Sequence, residues 1–96
     1  MITAIILIDV ERGRANEVSE ALVALDGISE AYSVAGEADI VAIARVSKHD
    51  DLAELIAGKV QGMPGIVETR TLIAFQAYSK QDLDAMWSIG YEETAG

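Results

Sequence analysis

The chain contains no cysteine, a single histidine (His49), one proline and one tryptophan. The missing thiols exclude disulfides, thiolate metal sites and cysteine nucleophiles. A lone histidine excludes a histidine-based metal cluster. Basic side chains are also scarce, with 7 Lys and Arg against 16 Asp and Glu, for a net charge of −9. Phosphate contacts need cations, so the balance argues against direct nucleic-acid binding and against an anionic lipid surface. The apolar opening, Met1 to Val10, has no basic segment before it and is interrupted by Asp9. It is too short to span a bilayer and lacks the layout of a secretion signal. These features predict a cytoplasmic protein with no membrane partner.

Ninety-six residues, of which 51% are hydrophobic and 24% charged, are enough for one domain with its own core. Residues 2–10 are rich in isoleucine and read as a strand. After the polar turn Glu11–Arg14, the spacing Ala15, Val18, Leu22, Leu25 is helical and ends before Gly27. Ile28 to Ala35 and Ile40 to Val46 read as strands around the turn Gly36-Glu37-Ala38-Asp39. A second helix starts at the polar run Lys48–Asp51 and follows the stripe Leu52, Leu55, Ile56, Lys59, Val60, Met63. Gly62-Met63-Pro64-Gly65 stops it, and Ile66 to Tyr78 reads as a long fourth strand. Asp82 to Ile89, with Met86 and Trp87, reads as a short terminal helix before a frayed end.

The order is therefore βαββαβ, and an internal repeat supports it. Gly27-Ile28-Ser29-Glu30 and Gly65-Ile66-Val67-Glu68 share the pattern Gly-Ile-x-Glu, and each follows a helix and opens a strand. Two βαβ halves predict an α+β ferredoxin-like sandwich: a four-stranded antiparallel sheet with two helices on one face. The third strand is apolar on both sides, with Ile40, Ala42, Ala44 and Val46 alternating against Val41, Ile43 and Arg45. In the fourth, Val67, Thr69, Thr71, Ile73 and Phe75 alternate with Glu68, Arg70, Leu72, Ala74 and Gln76. Two helices cover one face, so the other needs a second cover. That cover is a second subunit over Val41, Ile43, Leu72 and Ala74, giving a dimeric α+β barrel. The alternative is that the fourth strand or the terminal helix folds back over its own sheet.

No phosphate-binding glycine loop and no nucleophile elbow is present, and no carboxylate is tied by spacing to a partner base. His49 beside Asp50 fits a solvated helix start, and Asp50 and Asp51 fit first-turn charges. Glu30 and Glu68, at equivalent repeat positions, fit structural roles.

Two segments are more specific: Val34-Ala35-Gly36-Glu37-Ala38-Asp39, of the form Val-x-Gly-Glu-x-Asp, and Met63-Pro64-Gly65-Ile66-Val67-Glu68-Thr69-Arg70-Thr71. With the repeat and the length, they make residues 1–79 resemble the RAM domain, the effector-binding and assembly half of the Lrp/AsnC feast/famine regulators. Residues 80–96 are then an extension. Full-length members of that family carry an N-terminal helix-turn-helix. Here the first strand opens at Ile2, so the chain resembles the stand-alone RAM proteins. The resemblance implies dimers joined through their open sheet faces, rings of four or five dimers, and an amino-acid effector bound between dimers. It implies no cofactor and no catalysis, with a DNA-binding relative as a regulatory partner. Carried over by position, the pocket comprises Gly36, Glu37, Ala38 and Asp39 with Thr69, Arg70 and Thr71. A small residue at Ala38 leaves room for a medium or large effector side chain.

The residue chemistry is compatible with such a pocket. An α-ammonium needs a carboxylate, as Asp39 offers, and an α-carboxylate needs turn amides or hydroxyls. Two further roles stay open from the residues alone. Asp39 can instead bond its own hairpin backbone. Arg70 can pair with an effector carboxylate or bridge to Glu68 or Glu30. The alternative function is a small dimeric α+β barrel enzyme, of the cofactor-free monooxygenase or isomerase type. That enzyme needs polar groups inside the sandwich, where this sequence places Val, Ile, Ala and Leu.

Overall fold

The computed structural model describes residues 1–80. Its elements are β1 (Ile2–Val10), α1 (Ala15–Val23), β2 (Ile28–Ser33), β3 (Ile40–Val46), α2 (His49–Ala53) continuing into a π-helix (Glu54–Val60), and β4 (Ile66–Ala74). The four strands form one sheet in the order β2-β3-β1-β4, antiparallel throughout. This is the ferredoxin-like arrangement that the βαββαβ order predicts. The expected terminal helix, Asp82 to Ile89, lies outside the described residues.

Alternation along the strands builds the core. Ala4, Ile6 and Ile8 of β1 and Ile40, Ala42 and Ala44 of β3 are fully buried. They form one cluster with Val18 and Leu22 of α1 and Leu52, Leu55 and Val60 of the second helical segment. Both helical segments therefore lie on the same side of the sheet.

Three expectations need correction. The second helix is α-helical only as far as Ala53 and then widens: Gln61 N–H donates to the Ile56 carbonyl, five residues back, at 2.9 Å. The wider turn puts Leu55 and Val60 on the buried side and leaves Lys59 exposed, so Lys59 does not belong to the stripe. Strand β4 stops at Ala74 and does not reach Tyr78, because Ala74 already lies opposite Thr3, one residue from the start of β1, which is too short to pair a longer strand. Phe75 is consequently fully exposed. Strand β2 stops at Ser33 and not at Ala35; the Val34 N–H donates to the Asp39 carbonyl (3.0 Å) as the last rung before the β2–β3 turn.

The Gly-Ile-x-Glu repeat has a shared backbone role. Gly27 and Gly65 both hold left-handed φ, 97° and 94°. Each carbonyl accepts a bond at 2.8 Å, Gly27 from Arg45 N–H of β3 and Gly65 from Glu11 N–H just past the end of β1. A methyl on Gly27 lies 3.0 Å from Leu55 Cδ2, and one on Gly65 lies 3.0 Å from Val18 Cγ2. Strain and overpacking then add, so Gly27→Ala and Gly65→Ala are each expected to destabilise by about 2–4 kcal/mol in urea unfolding. Gly13 has the same backbone hand (φ 81°) but open space around it. Gly13→Ala isolates the backbone cost, about 1–2 kcal/mol. Equal losses at all three sites would refute the packing part of this account.

Candidate functional site: the β2–β3 turn and the helix-free sheet face

The register assigns side chains to the face that carries no helix. Tyr32 stands opposite Val41, Val41 opposite Leu7, and Leu7 opposite Arg70. The next row is Glu30, Ile43, Ile5 and Leu72, and beyond it come Arg45, Thr3 and Ala74. The centre is apolar, Tyr32 and Glu30 make the β2 edge polar, and on the β4 edge Arg70 stands beside the apolar Leu72 and Ala74. Val41, Ile43 and Ala74 are half-buried, whereas Leu72 is 54% exposed. All four residues expected at a subunit contact therefore share one face of the sheet. Ile5 and Leu7 complete its centre. Their signal was the apolar run Ala4–Ile8 in β1, which puts apolar side chains on both faces of the sheet.

At the β2 edge, the Tyr32 hydroxyl donates to Glu30 Oε2, and Arg45 Nη1 lies 3.4 Å from Glu30 Oε1. The hydroxyl first, and Arg45 second, hold the Glu30 carboxyl below its usual range. The same hydrogen bond raises the Tyr32 phenol. A depressed carboxyl stabilises the fold above its unfolded pKa, about 4.3, and the contribution is lost as pH falls through the folded value. A raised phenol stabilises below about pH 10 and loses its contribution as pH rises. Tyr32→Phe should therefore melt below wild type near neutrality, with the gap closing in acid below about pH 4. Thermal melts across that range test this, and a pH-independent gap would contradict it.

At one end of the sheet the β2–β3 turn folds over the end of β1. Gly36 opens it with φ 133°. Ala38 is buried at 6% exposure. Asp39 pins the turn twice to β1: its N–H donates to the Ile8 carbonyl at 3.0 Å, and its Oδ2 accepts from Val10 N–H at 2.9 Å. The carboxylate thus bonds the backbone of a neighbouring strand, not that of its own hairpin. Arg70 Nη2 donates to the Glu37 carbonyl at 3.0 Å, while Nη1 lies 3.5 Å from Asp9 Oδ2 and 3.9 Å from Glu68 Oε2.

The structure therefore brings Glu37 and Arg70 into contact, with Asp39 in the same turn. It supports the Arg70–Glu68 bridge but not a bridge to Glu30. Strands β4 and β2 are opposite edges of the sheet, and Glu30 pairs with Arg45. Thr69 and Thr71 lie opposite Ile8 and Ile6, on the helix-bearing face, because alternation sends them away from Arg70. Asp9 is the site residue that pattern reading missed. Its signal was a carboxylate breaking an otherwise apolar strand.

A four-stranded antiparallel sheet with both helical segments on one face is the ferredoxin-like fold. The chain belongs to the Lrp/AsnC ligand binding domain family, whose model matches residues 3–83. Among solved structures it is similar to TTHA0845 from Thermus thermophilus, with 35% identity and a TM-score of 0.78 over 83% of this chain and 100% of that one. It is also similar to AsnC of E. coli, with 25% identity and a TM-score of 0.76. That match covers 81% of this chain and 53% of AsnC, so the chain corresponds to about half of that regulator. The fold alone is shared with the feast or famine regulatory protein Rv3291c from M. tuberculosis, solved in complex with L-methionine. There the identity is 23% and the TM-score 0.70, over 83% of this chain and 54% of that one. No curated protein matches the chain by sequence. Among the described residues, no helix is long and apolar enough to cross a membrane.

Proposed function

We propose that the protein is a non-enzymatic, cytoplasmic regulatory domain that binds an amino acid at the 36–39 turn and self-associates through its helix-free sheet face. The observation that carries the reading is the pair of opposite charges at one turn. Asp39 is tied to β1 there, and Arg70 holds the Glu37 carbonyl. A free amino acid is a zwitterion and needs that combination, a carboxylate for its ammonium and a cation or amides for its carboxylate. The family's ligand-binding role supports the reading, as does the methionine complex of Rv3291c.

Gly36, Glu37, Ala38, Asp39 and Arg70 form the contact set in one subunit. Thr69 and Thr71, on the opposite face of β4, contribute only where a neighbouring subunit or the strand end brings them round. The assembled form is a dimer and then a ring of four or five dimers. It acts by joining, or competing with, a DNA-binding Lrp/AsnC relative. A thermal-shift screen with each of the twenty amino acids tests the proposal. Stabilisation by one or a few at millimolar concentration, where binding amounts to about 4–7 kcal/mol, is the expected result. No shift with any of them, the oligomer being intact, would leave a pure assembly module.

A further inference from the structure

We propose that Arg70 couples the helix-free sheet face to the 36–39 turn, so that covering the face with a second copy of the chain orders the amino-acid site. The inference rests on the self-association proposed above and adds the residue through which it reaches the site.

Three observations carry it. First, Arg70 belongs to both regions. Its backbone stands beside Leu7 in the cross-strand row Tyr32, Val41, Leu7, Arg70 on the helix-free face, and its guanidinium ends on the Glu37 carbonyl at 3.0 Å. Second, the two halves of the turn are held differently. Asp39 is bonded twice to β1 and Ala38 is buried, whereas Val34, Ala35, Gly36 and Glu37 are all exposed. The bond from Arg70 is what ties Glu37 to the sheet. Third, the Arg70 side chain is 42% exposed in the single chain, with Asp9 at 3.5 Å and Glu68 at 3.9 Å. Its bonds there compete with water.

Covering the row Tyr32, Val41, Leu7 with an apolar partner face removes that water. A desolvated guanidinium must keep its acceptors, because an unpaired buried charge is costly. In the lower local dielectric the bonds to Asp9 and to the Glu37 carbonyl strengthen. The exposed half of the turn is then fixed, and its amides are presented in one geometry. Linkage makes the effect reciprocal: whatever fixes the turn also favours assembly.

Hydrogen–deuterium exchange of the turn amides, followed from dilute to concentrated protein, tests this without any ligand. Sedimentation on the same samples gives the subunit number, and the amides of α1, in the helical layer on the other side of the sheet, are the internal reference. Exchange of the 35–37 amides is expected to slow about tenfold on assembly in the wild type, and to be insensitive to assembly in Arg70→Met. Arg70→Met keeps an apolar stem of similar reach, so it should still assemble. Should that variant not fold, Arg70→Lys takes its place. A single ammonium cannot span Glu37 and Asp9 as the planar fork does, so most of the protection should again be lost. Assembly with unchanged exchange at the turn, or equal protection in the variant, overturns the coupling while leaving self-association standing. A wild type that stays monomeric at every concentration overturns both, and the sedimentation data tell the two failures apart.

Discussion

With the proposed self-association through the helix-free face, replacing Ile43 by lysine is expected to leave a monomer that is still folded. Ile43 lies in the middle of the helix-free face, between Glu30 on one side and Ile5 on the other. In the assembled form a lysine there would be enclosed by Ile5, Leu7, Val41 and the partner's matching face. Enclosing an ammonium without a partner costs about 3–5 kcal/mol, a rise in the dissociation constant of roughly 10²- to 10⁴-fold. In the single chain the same lysine has little effect. Its stem lies along the sheet while its charge stays in water. The Glu30 carboxylate across from it is already held by Arg45 and Tyr32. Sedimentation velocity and light scattering would show the loss of assembly, with an unchanged far-ultraviolet spectrum reporting the intact fold. An oligomer that survives the substitution would move the contact to some other surface.

Asp39→Asn is expected to weaken amino-acid binding by about 10- to 100-fold, the loss of one charge-assisted hydrogen bond, with little change in stability. The amide oxygen of asparagine can still accept from Val10 N–H, so the tie between the turn and β1 persists. Asp39→Ala is the contrasting variant. It removes that tie as well and should also lower stability by about 1 kcal/mol. Calorimetry with whichever amino acid the thermal screen selects, beside urea unfolding of both variants, separates the two roles. Wild-type affinity in the asparagine variant would leave Asp39 with the structural role alone.

Much of the architecture was legible along the chain, because burial follows the period of each element. The isoleucines of residues 2–10 and the alternation in Ile40–Val46 marked strands. The Val18 and Leu22 spacing marked α1. The repeated Gly-Ile-x-Glu marked two halves with the same backbone turn, which local sterics impose wherever a left-handed glycine precedes a strand. The apolar residues on both sides of β3 marked the helix-free face as apolar at its centre. None of these features depends on which strand lies beside which.

What needed the tertiary structure was everything decided by neighbours in space. The order β2-β3-β1-β4 leaves β4 with β1 as its one partner, and β1 begins one residue beyond the Thr3–Ala74 pair, so β4 cannot run on to Tyr78. It also separates Arg70 from Glu30, which the sequence left as an equally good ion pair. The i to i+5 bond at Gln61 replaces an α-turn with a wider one, a choice made by packing Leu55 and Val60 against the sheet that no local propensity announces. The site depends most on such neighbours. Asp39, Arg70 and Asp9 come from three separate strands or turns, and only the folding of the 34–39 turn over the end of β1 brings Glu37 to Arg70. Periodicity assigns a residue to a face. Long-range register decides which faces meet, and the charges at this turn act through that meeting.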